Sequence, residues 1–388
     1  MNHSAKNPNL SIVLPCLNEE TGLGRCLDEI KAAVGALGLS AEVIVVDNNS
    51  TDQSAHIAIS AAKHFPEVRL VQEKAAGYGY ACLKGFREAR GDHIFLADAD
   101  CTYDFSEIGL FIEKMDQGFD LVVGNRFAKP MAKGAMSVSH RYIGNPFLSF
   151  LVRIFFGVRI HDIHCGARMT MRQAFEKMPL YTGGMEFASE MVIQAARHSL
   201  RIGEVPISYR VREGVSKLRS VNDGWRHVRF IMLYSPLVLF LLPGVALSII
   251  GIGSLIVLYV TSPSVFGIQL FVHPMFAASL TIVMGYQLVI FALFSKTYAI
   301  THLGERSDFF ERLFKAVTLE KAVVAGFFLA FVGILIYIFI LTSWISSGFS
   351  SLDQIKNSIV GLTIVILGVQ TVSSSFMLSM LGIKEQKP

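Results

Sequence analysis

Four stretches of this 388-residue chain contain no Asp, Glu, Lys or Arg: residues 236–260, 274–294, 322–345 and 359–381. Each is close to the roughly 20 residues that a helix needs to cross a bilayer. Four such runs exclude a wholly soluble chain. Pro243 falls inside the first, which membrane helices tolerate. Cysteine is scarce too. Cys16, Cys26, Cys82, Cys101 and Cys165 lack the paired spacing of a structural zinc site, and His164 beside Cys165 has no second Cys/His pair nearby. All five lie in the charged N-terminal half, where reduced thiols are expected. No apolar leader follows the polar residues 1–9, so no signal peptide is expected. The formal charge of +4 comes with no nucleic-acid motif, so nucleic acid is not an expected partner. The modest basic excess suits a membrane surface and phosphate groups instead.

The distribution of basic residues predicts the orientation. Residues 261–273 contain no Lys or Arg, and residues 346–356 contain only Lys356, at the edge. The connection between the second and third runs carries Lys296, Arg306, Arg312, Lys315 and Lys321. Lys384 and Lys387 follow the last run, and Arg226 and Arg229 precede the first. Every basic segment falls on one side, which predicts a cytoplasmic N-terminal domain and both termini in the cytoplasm. The expected division is a soluble domain over 1–225 and a membrane domain over 226–388.

The soluble half alternates strand-like runs (10–14, 42–46, 68–71, 93–97, 121–123) with helical stretches (19–37, 53–64, 79–89, 105–117). That alternation predicts a mostly parallel α/β sheet with its ligand crevice beyond the C-terminal strand ends. Polar residues collect there: Pro15, Asn18 and Glu19 after the first strand, Asp47 to Asp52 after the second, Gly124, Asn125 and Arg126 after the fifth. Asp52 also suits a helix cap. After the fourth comes Asp98-Ala99-Asp100. Side chains alternate along a strand, so the two carboxylates share a side and offer hard oxygen ligands to a divalent cation. The segment Ala75-Ala76-Gly77-Tyr78-Gly79 precedes a helix, and Gly77 would let backbone N–H groups approach a phosphate or sugar. It lacks the Gly-Lys-Ser/Thr ending of a Walker A loop and follows the third strand, unlike a dinucleotide fingerprint.

Residues 139–157 set Arg141 and Arg153 among Phe147, Leu148, Phe150, Leu151, Ile154, Phe155 and Phe156. This stretch is too short and too basic to span, and predicts a helix lying in the membrane interface. Residues 309–317 read the same way. Arg210, Arg212, Lys217, Arg219, Arg226 and Arg229 then lead to the first span, and Gly214 to Arg219 form a loop able to meet an anion. Together these features suit a nucleotide-sugar diphosphate held with a divalent cation (Mg2+ or Mn2+) beside a membrane.

Leu14-Pro15-Cys16-Leu17-Asn18-Glu19-Glu20, Val45-Val46-Asp47-Asn48-Asn49-Ser50-Thr51-Asp52, Asp98-Ala99-Asp100 and Gly214-Val215-Ser216-Lys217-Leu218 resemble the motifs of family 2 glycosyltransferases, in particular the polyprenyl-phosphate (dolichyl- or undecaprenyl-phosphate) hexose synthases. The resemblance covers about residues 10–230. It implies an α/β glycosyltransferase-A (Rossmann-like) catalytic domain, followed by interfacial helices and an α-helical membrane domain of four spans. It also implies inverting transfer of a hexose from a UDP- or GDP-sugar to a polyprenyl phosphate. Pro15, Leu17, Glu19 and Asp47 match base and ribose positions, with Leu17 where an aromatic is common. Asp98, Ala99 and Asp100 match the nucleotide and metal motif, with Thr102 where a glutamine often supplies a third ligand. Arg126 matches an arginine near the donor diphosphate. His140 and Arg141 lie where the acceptor phosphate arrives, and Lys217 and Arg219 join them. Asp162 and Glu190 are candidates to orient the acceptor or act as a base, with a structural role the equal alternative for each. A processive synthase would carry Gln-x-x-Arg-Trp, which is absent. Transfer to a diacylglycerol or ceramide hydroxyl, and a non-enzymatic lipid-sugar scaffold or translocator, are the competing readings. Gly251 and Gly253, or Gly361 and Gly368, suggest packing against further copies as a homo-oligomer.

Overall fold

The computed structural model describes residues 8–214, 220–261, 264–265, 268–269, 272–302, 310, 312, 318–350 and 352–383. The chain divides into two units, 1–234 and 235–388. The division falls later than residue 225 because helix α8 (Ser220–Tyr234) packs on the N-terminal unit.

The N-terminal unit is built on a seven-stranded sheet in the order β3-β2-β1-β4-β6-β5-β7. Its strands are β1 (Leu10–Cys16), β2 (Ala41–Asp47), β3 (Val68–Gln72), β4 (His93–Leu96), β5 (Leu121–Asn125), β6 (Arg168–Met171) and β7 (Ile202–Pro206). The first four are parallel. β6 runs antiparallel between β4 and β5, so the sheet is mixed. Every residue of β1 and β2 is buried. Near-continuous apolar sequence is what a strand covered on both faces requires. The covering helices include α1 (Leu23–Leu37), α2 (Ser54–Ala61), α3 (Tyr78–Glu88), α4 (Ile108–Asp116), α5 (Asn145–Phe156), α6 (Arg172–Lys177) and α7 (Phe187–Arg197). Phe86 of α3 packs edge-on against Phe175 and Phe187, and Phe95 against Phe111. Each fully buried ring contributes roughly 1.5–3 kcal/mol.

β1 is the switch point. It pairs with β2 on one side and β4 on the other, so the connections leave in opposite directions and open a crevice at the C-terminal strand ends. Cys16 aligns with Asp47 across the β1–β2 pair. The expected helix from residue 19 starts only at Leu23. Residues 17–22 are spent on the crevice rim, where Asn18 takes a left-handed φ of 49°.

α5 continues a π-helical turn (His140–Gly144) and buries Leu148, Ser149 and Val152. Its other side leaves Tyr142, Ile143, Phe147, Phe150 and Ile154 exposed. The similar stretch expected over 309–317 lies outside the described residues except for Phe310 and Arg312.

The C-terminal unit contains helices α9 (Leu242–Thr261), α10 (His273–His302), α11 (Leu319–Ser346) and α12 (Ile355–Leu381). Four helical segments, Leu237–Thr261, His273–Thr301, Leu319–Ser346 and Ile355–Leu381, are long and apolar enough to cross a membrane. α9 packs on α10 and α11 on α12, with backbones brought close by small residues. A Cβ on Gly251 would sit 2.8 Å from Ile282, and one on Gly333 would sit 2.8 Å from the Gly361 carbonyl. Gly251, Gly361 and Gly368 are therefore used in packing inside one chain, while a Cβ on Gly253 would meet nothing within 4 Å. Polar pairs Ser279–Thr363 and Tyr286–Thr371, each at 2.6 Å, join α10 to α12.

Candidate active site

The crevice at the switch point is assembled from three strand ends. Pro15 lies within β1 opposite Val46, Leu17 is exposed beyond it, and Glu19 is buried. Asp47 ends β2 and accepts the Ser50 N–H at 3.2 Å, closing the turn. Asn18 Oδ1 accepts the Thr51 N–H at 2.7 Å, and Asp52 accepts the N–H groups of Glu20 and Ser54, each at 3.0 Å. The two loops thus hold each other; Asp52 sits one residue before the N-cap of α2, which is Gln53, rather than at the cap itself.

Gly77 has a different job from the one its sequence suggests. Its φ is 150°, and an added Cβ would lie 2.2 Å from the Gly183 carbonyl. Its N–H donates to Asn48 Oδ1 at 2.7 Å, while the Gly79 N–H donates to Gly183 O at 2.9 Å. Both donors are engaged by protein, so Gly77 serves close packing against residues 182–184 and not a phosphate.

Asp98 and Asp100 follow β4 as expected. Tyr78 Oη donates to Asp98 Oδ1 at 3.1 Å. Burial, followed by the charge of Asp100, pushes the Asp98 carboxyl up to about 6. Gly166 leaves the room this carboxylate needs, since a Cβ there would sit 2.5 Å from Oδ2. Ala99 is buried, with its carbonyl against Gly22. Asp100 Oδ1 accepts the Thr102 N–H at 3.1 Å and the Thr102 hydroxyl at 2.6 Å. The buried Thr102 hydroxyl thus donates its proton to Asp100 and helps fix that carboxylate. Asp100 Oδ2 faces Arg212 Nη1 at 3.4 Å, and Arg212 Nη2 also pairs with Glu19.

Arg126 and Asp162, expected as a diphosphate contact and an acceptor-side acid, meet each other. Asp162 accepts Arg126 Nε at 2.7 Å, Nη2 at 2.8 Å and the backbone N–H at 3.2 Å. Both are buried, and the guanidinium lies 5.0 Å from the Tyr209 ring. Glu204 braces the pair through the His161 and Asp162 N–H groups, at 2.7 and 3.0 Å. Glu190 is fully buried and accepts the N–H groups of Tyr181 and Thr182 and the Thr182 hydroxyl. It pins the strip that packs on Gly77. Both carboxylates are fully buried and bonded to protein groups, so of the roles open to Asp162 and Glu190 the geometry favours the structural one.

His140 and Arg141 open the π-helical turn, and Arg141 lies 5.4 Å from the Tyr142 ring. His140, Arg126 and Arg168 all lie close enough to act on His164 electrostatically. His164 Nε2 sits 3.2 Å from His227 Nδ1, with Ser189 Oγ at 3.1 and 3.0 Å from the two rings. Burial first, then His227, holds His164 well below its usual range. Lys217 and Arg219 lie outside the described residues. Arg212, Tyr78, Gly166 and His227 were not legible as site residues. Arg212 carried a signal only as one of the basic residues leading to the first span, and Tyr78 only as a member of the segment 75–79.

These residues fit a hard divalent cation. Two carboxylates are held near each other at a cost visible in Asp98, and a guanidinium already stands in as the positive charge on Asp100 Oδ2. The mixed sheet with a crevice at its switch point and paired carboxylates beside it is the glycosyltransferase-A arrangement. Residues 11–178 match the glycosyl transferase family 2 domain, and residues 293–382 match the glycosyltransferase family 2 C-terminal transmembrane region. The low-salt glycan biosynthesis hexosyltransferase Agl6 of Haloferax volcanii is 36% identical over 376 residues, 97% of this chain and 89% of that protein. A dolichyl-phosphate hexose transferase of the same organism is 28% identical over 217 residues, 56% of this chain and 89% of that protein. Among solved structures, glucosyl-3-phosphoglycerate synthase from Mycobacterium tuberculosis matches with a TM-score of 0.48 and 20% identity, over 59% of this chain and 80% of that one. The chain belongs to the family 2 glycosyltransferases, as its motifs at Pro15, Asp47 and Asp98 resemble, and is an integral membrane member of that family.

Proposed function

We propose that this glycosyltransferase moves a hexose from a nucleotide-sugar donor to a polyprenyl phosphate on the cytoplasmic leaflet, with inversion at the anomeric carbon. The observation that carries the choice of acceptor is that Asp162 and Glu190 are both fully buried and each already accepts three hydrogen bonds from protein groups. A sugar or lipid hydroxyl needs a base to remove its proton as it attacks. A phosphate monoester is already ionised near neutral pH and needs none. Supporting this reading, one relative is named as a dolichyl-phosphate hexose transferase and another as a hexosyltransferase.

In this reading Pro15, Leu17, Glu19 and Asp47 line the nucleoside pocket at the ends of β1 and β2. Asp98 and Asp100 would hold a divalent cation, which when bound would supply positive charge to balance the donor diphosphate. Asp162 and Glu204 hold Arg126 rigid, so its charge is preorganised beside Asp98. His140, Arg141, Lys217 and Arg219 receive the acceptor phosphate. One phosphate oxygen forms the new bond to the anomeric carbon, and the bond to the diphosphate oxygen breaks with its electron pair. The exposed apolar side of α5, flanked by Arg141 and Arg153, lies in the lipid interface and brings the acceptor headgroup within reach. The distribution of basic residues supports the cytoplasmic orientation.

The test is to incubate membranes holding the protein with labelled UDP- and GDP-hexoses plus undecaprenyl phosphate, dolichyl phosphate, diacylglycerol or ceramide. Label entering only the phosphate-bearing lipids is the expected result. Label entering diacylglycerol or ceramide instead would overturn the acceptor reading.

A further inference from the structure

We propose that Arg212 is an internal counter-ion that a divalent cation must displace from Asp100, and that this exchange couples cation binding to nucleotide binding. The inference rests on the cation and nucleotide reading of the Asp98–Asp100 site above.

Only one oxygen of Asp100 is open to either partner. Oδ1 is taken by the N–H and hydroxyl of Thr102. Oδ2 faces the Arg212 guanidinium at 3.4 Å. A cation binding at Oδ2 and the guanidinium exclude each other by both space and charge. Arg212 is also held over this oxygen by its own main chain. On one side the Arg210 N–H donates to Thr102 O at 2.8 Å; on the other the Glu213 N–H donates to Asp100 O at 3.1 Å. Outside that clip, Arg210 pairs with Glu29 at 2.9 Å and with Asp104 at 2.5 Å, and Glu213 with Arg25 at 2.5 Å. The side chain is therefore delivered to Asp100 by a segment fixed at both ends.

The guanidinium is incompletely satisfied there. It bridges Glu19 and Asp100, but its Nε is buried without a hydrogen-bond partner. A buried donor without a partner favours any move that supplies an acceptor. A nucleotide diphosphate arriving with the cation supplies several, and charge-assisted bonds from arginine to phosphate are strong. Without nucleotide, a cation entering at Asp100 forfeits the arginine's ion pair. With nucleotide, the displaced guanidinium gains a new anionic partner. Each ligand then raises the affinity for the other by the same factor, as linkage requires.

The experiment measures Mn2+ binding to the purified full-length protein in detergent, by the loss of the free-ion paramagnetic resonance signal. It is run alone and with saturating UDP or GDP, on wild type, Arg212→Met, Arg212→Gln and Arg212→Lys, each checked for an unchanged melting transition. Without nucleotide, Arg212→Met and Arg212→Gln should bind Mn2+ about tenfold more tightly than wild type, and Arg212→Lys should stay near wild type. The enhancement by nucleotide should shrink to about threefold or less in the uncharged variants. Uncharged variants that bind Mn2+ alone no more tightly than wild type, or keep its full nucleotide enhancement, overturn the exchange. Wild type that binds no Mn2+ even with either nucleotide overturns the cation reading itself, and that result is visible before any substitution is compared.

Discussion

Asp162 clasps Arg126 through both carboxylate oxygens, at 2.7 and 2.8 Å, in a buried pair that neither residue's neighbours in sequence would suggest. The pair turns a candidate base into a residue that fixes an arginine. In the proposed reaction, a charge held this way does no work in reorganising as the donor diphosphate leaves.

Asp162→Asn should therefore act through Arg126. Breaking one side of a buried ion pair leaves the other charge uncompensated and costs about 3 kcal/mol. Chemical denaturation of the purified variant should show that loss. Its residual activity should keep the wild-type pH profile, because no titrating base has been removed. A profile that loses one limb would return Asp162 to the role of base.

Glu190→Gln should lower stability by about 1–2 kcal/mol, since the amide cannot accept the full set of bonds from Tyr181 and Thr182. Activity per folded molecule should stay within about twofold of wild type, because the lost bonds are structural. Measuring turnover against active protein, counted by nucleotide binding, separates the two effects.

Gly77→Ala should be among the most damaging small substitutions in the catalytic unit. The left-handed φ and the 2.2 Å approach to Gly183 O act together, for a cost of about 3 kcal/mol. The melting temperature should fall sharply while the same change at Gly35, where nothing lies within 4 Å, is tolerated.

Acid should loosen the catalytic unit through His164. Its folded-state value lies well below 6.5, held down by burial, then by His227, Arg126, Arg168 and His140. The unfolded chain binds the proton more readily, so stability is full above about pH 6.5 and is lost as pH falls below it. Ser189, bonded to both rings, adds no charge to this balance. Replacing His164 with Asn should flatten that part of the stability curve, measured by denaturant titration between pH 5 and pH 8. An unchanged slope would show that His164 protonates freely in the native state.

The parallel half of the sheet was legible because β1 to β4 are apolar runs that end in polar residues, and the four spans because they lack charge. β6 runs antiparallel from Arg168 to Met171 between strands that the parallel alternation alone would have made neighbours. Four residues with an arginine and a threonine carry too little periodicity to reveal a strand inserted between β4 and β5. Asp98 and Asp100 could be singled out from the local sequence, but β4 ends at Leu96, so both lie beyond the strand whose alternation was expected to place them. The pairing of Arg212 with Glu19, 193 residues apart, was not, because only the fold brings those loops together. The same holds for Arg126 with Asp162, whose partners look equally available when read one at a time.

The central claim, sugar transfer to a lipid phosphate from a cation-held nucleotide donor, is tested most directly by the bond formed in the product. The purified protein in lipid nanodiscs should be given labelled nucleotide sugar, undecaprenyl phosphate and Mn2+, and the lipid product analysed by mass and by mild acid. The account predicts a glycosyl phosphodiester that releases its sugar in mild acid, with none formed after Asp100→Ala or with chelator. An acid-stable glycoside to a hydroxyl, or full product formation in Asp100→Ala, would contradict it.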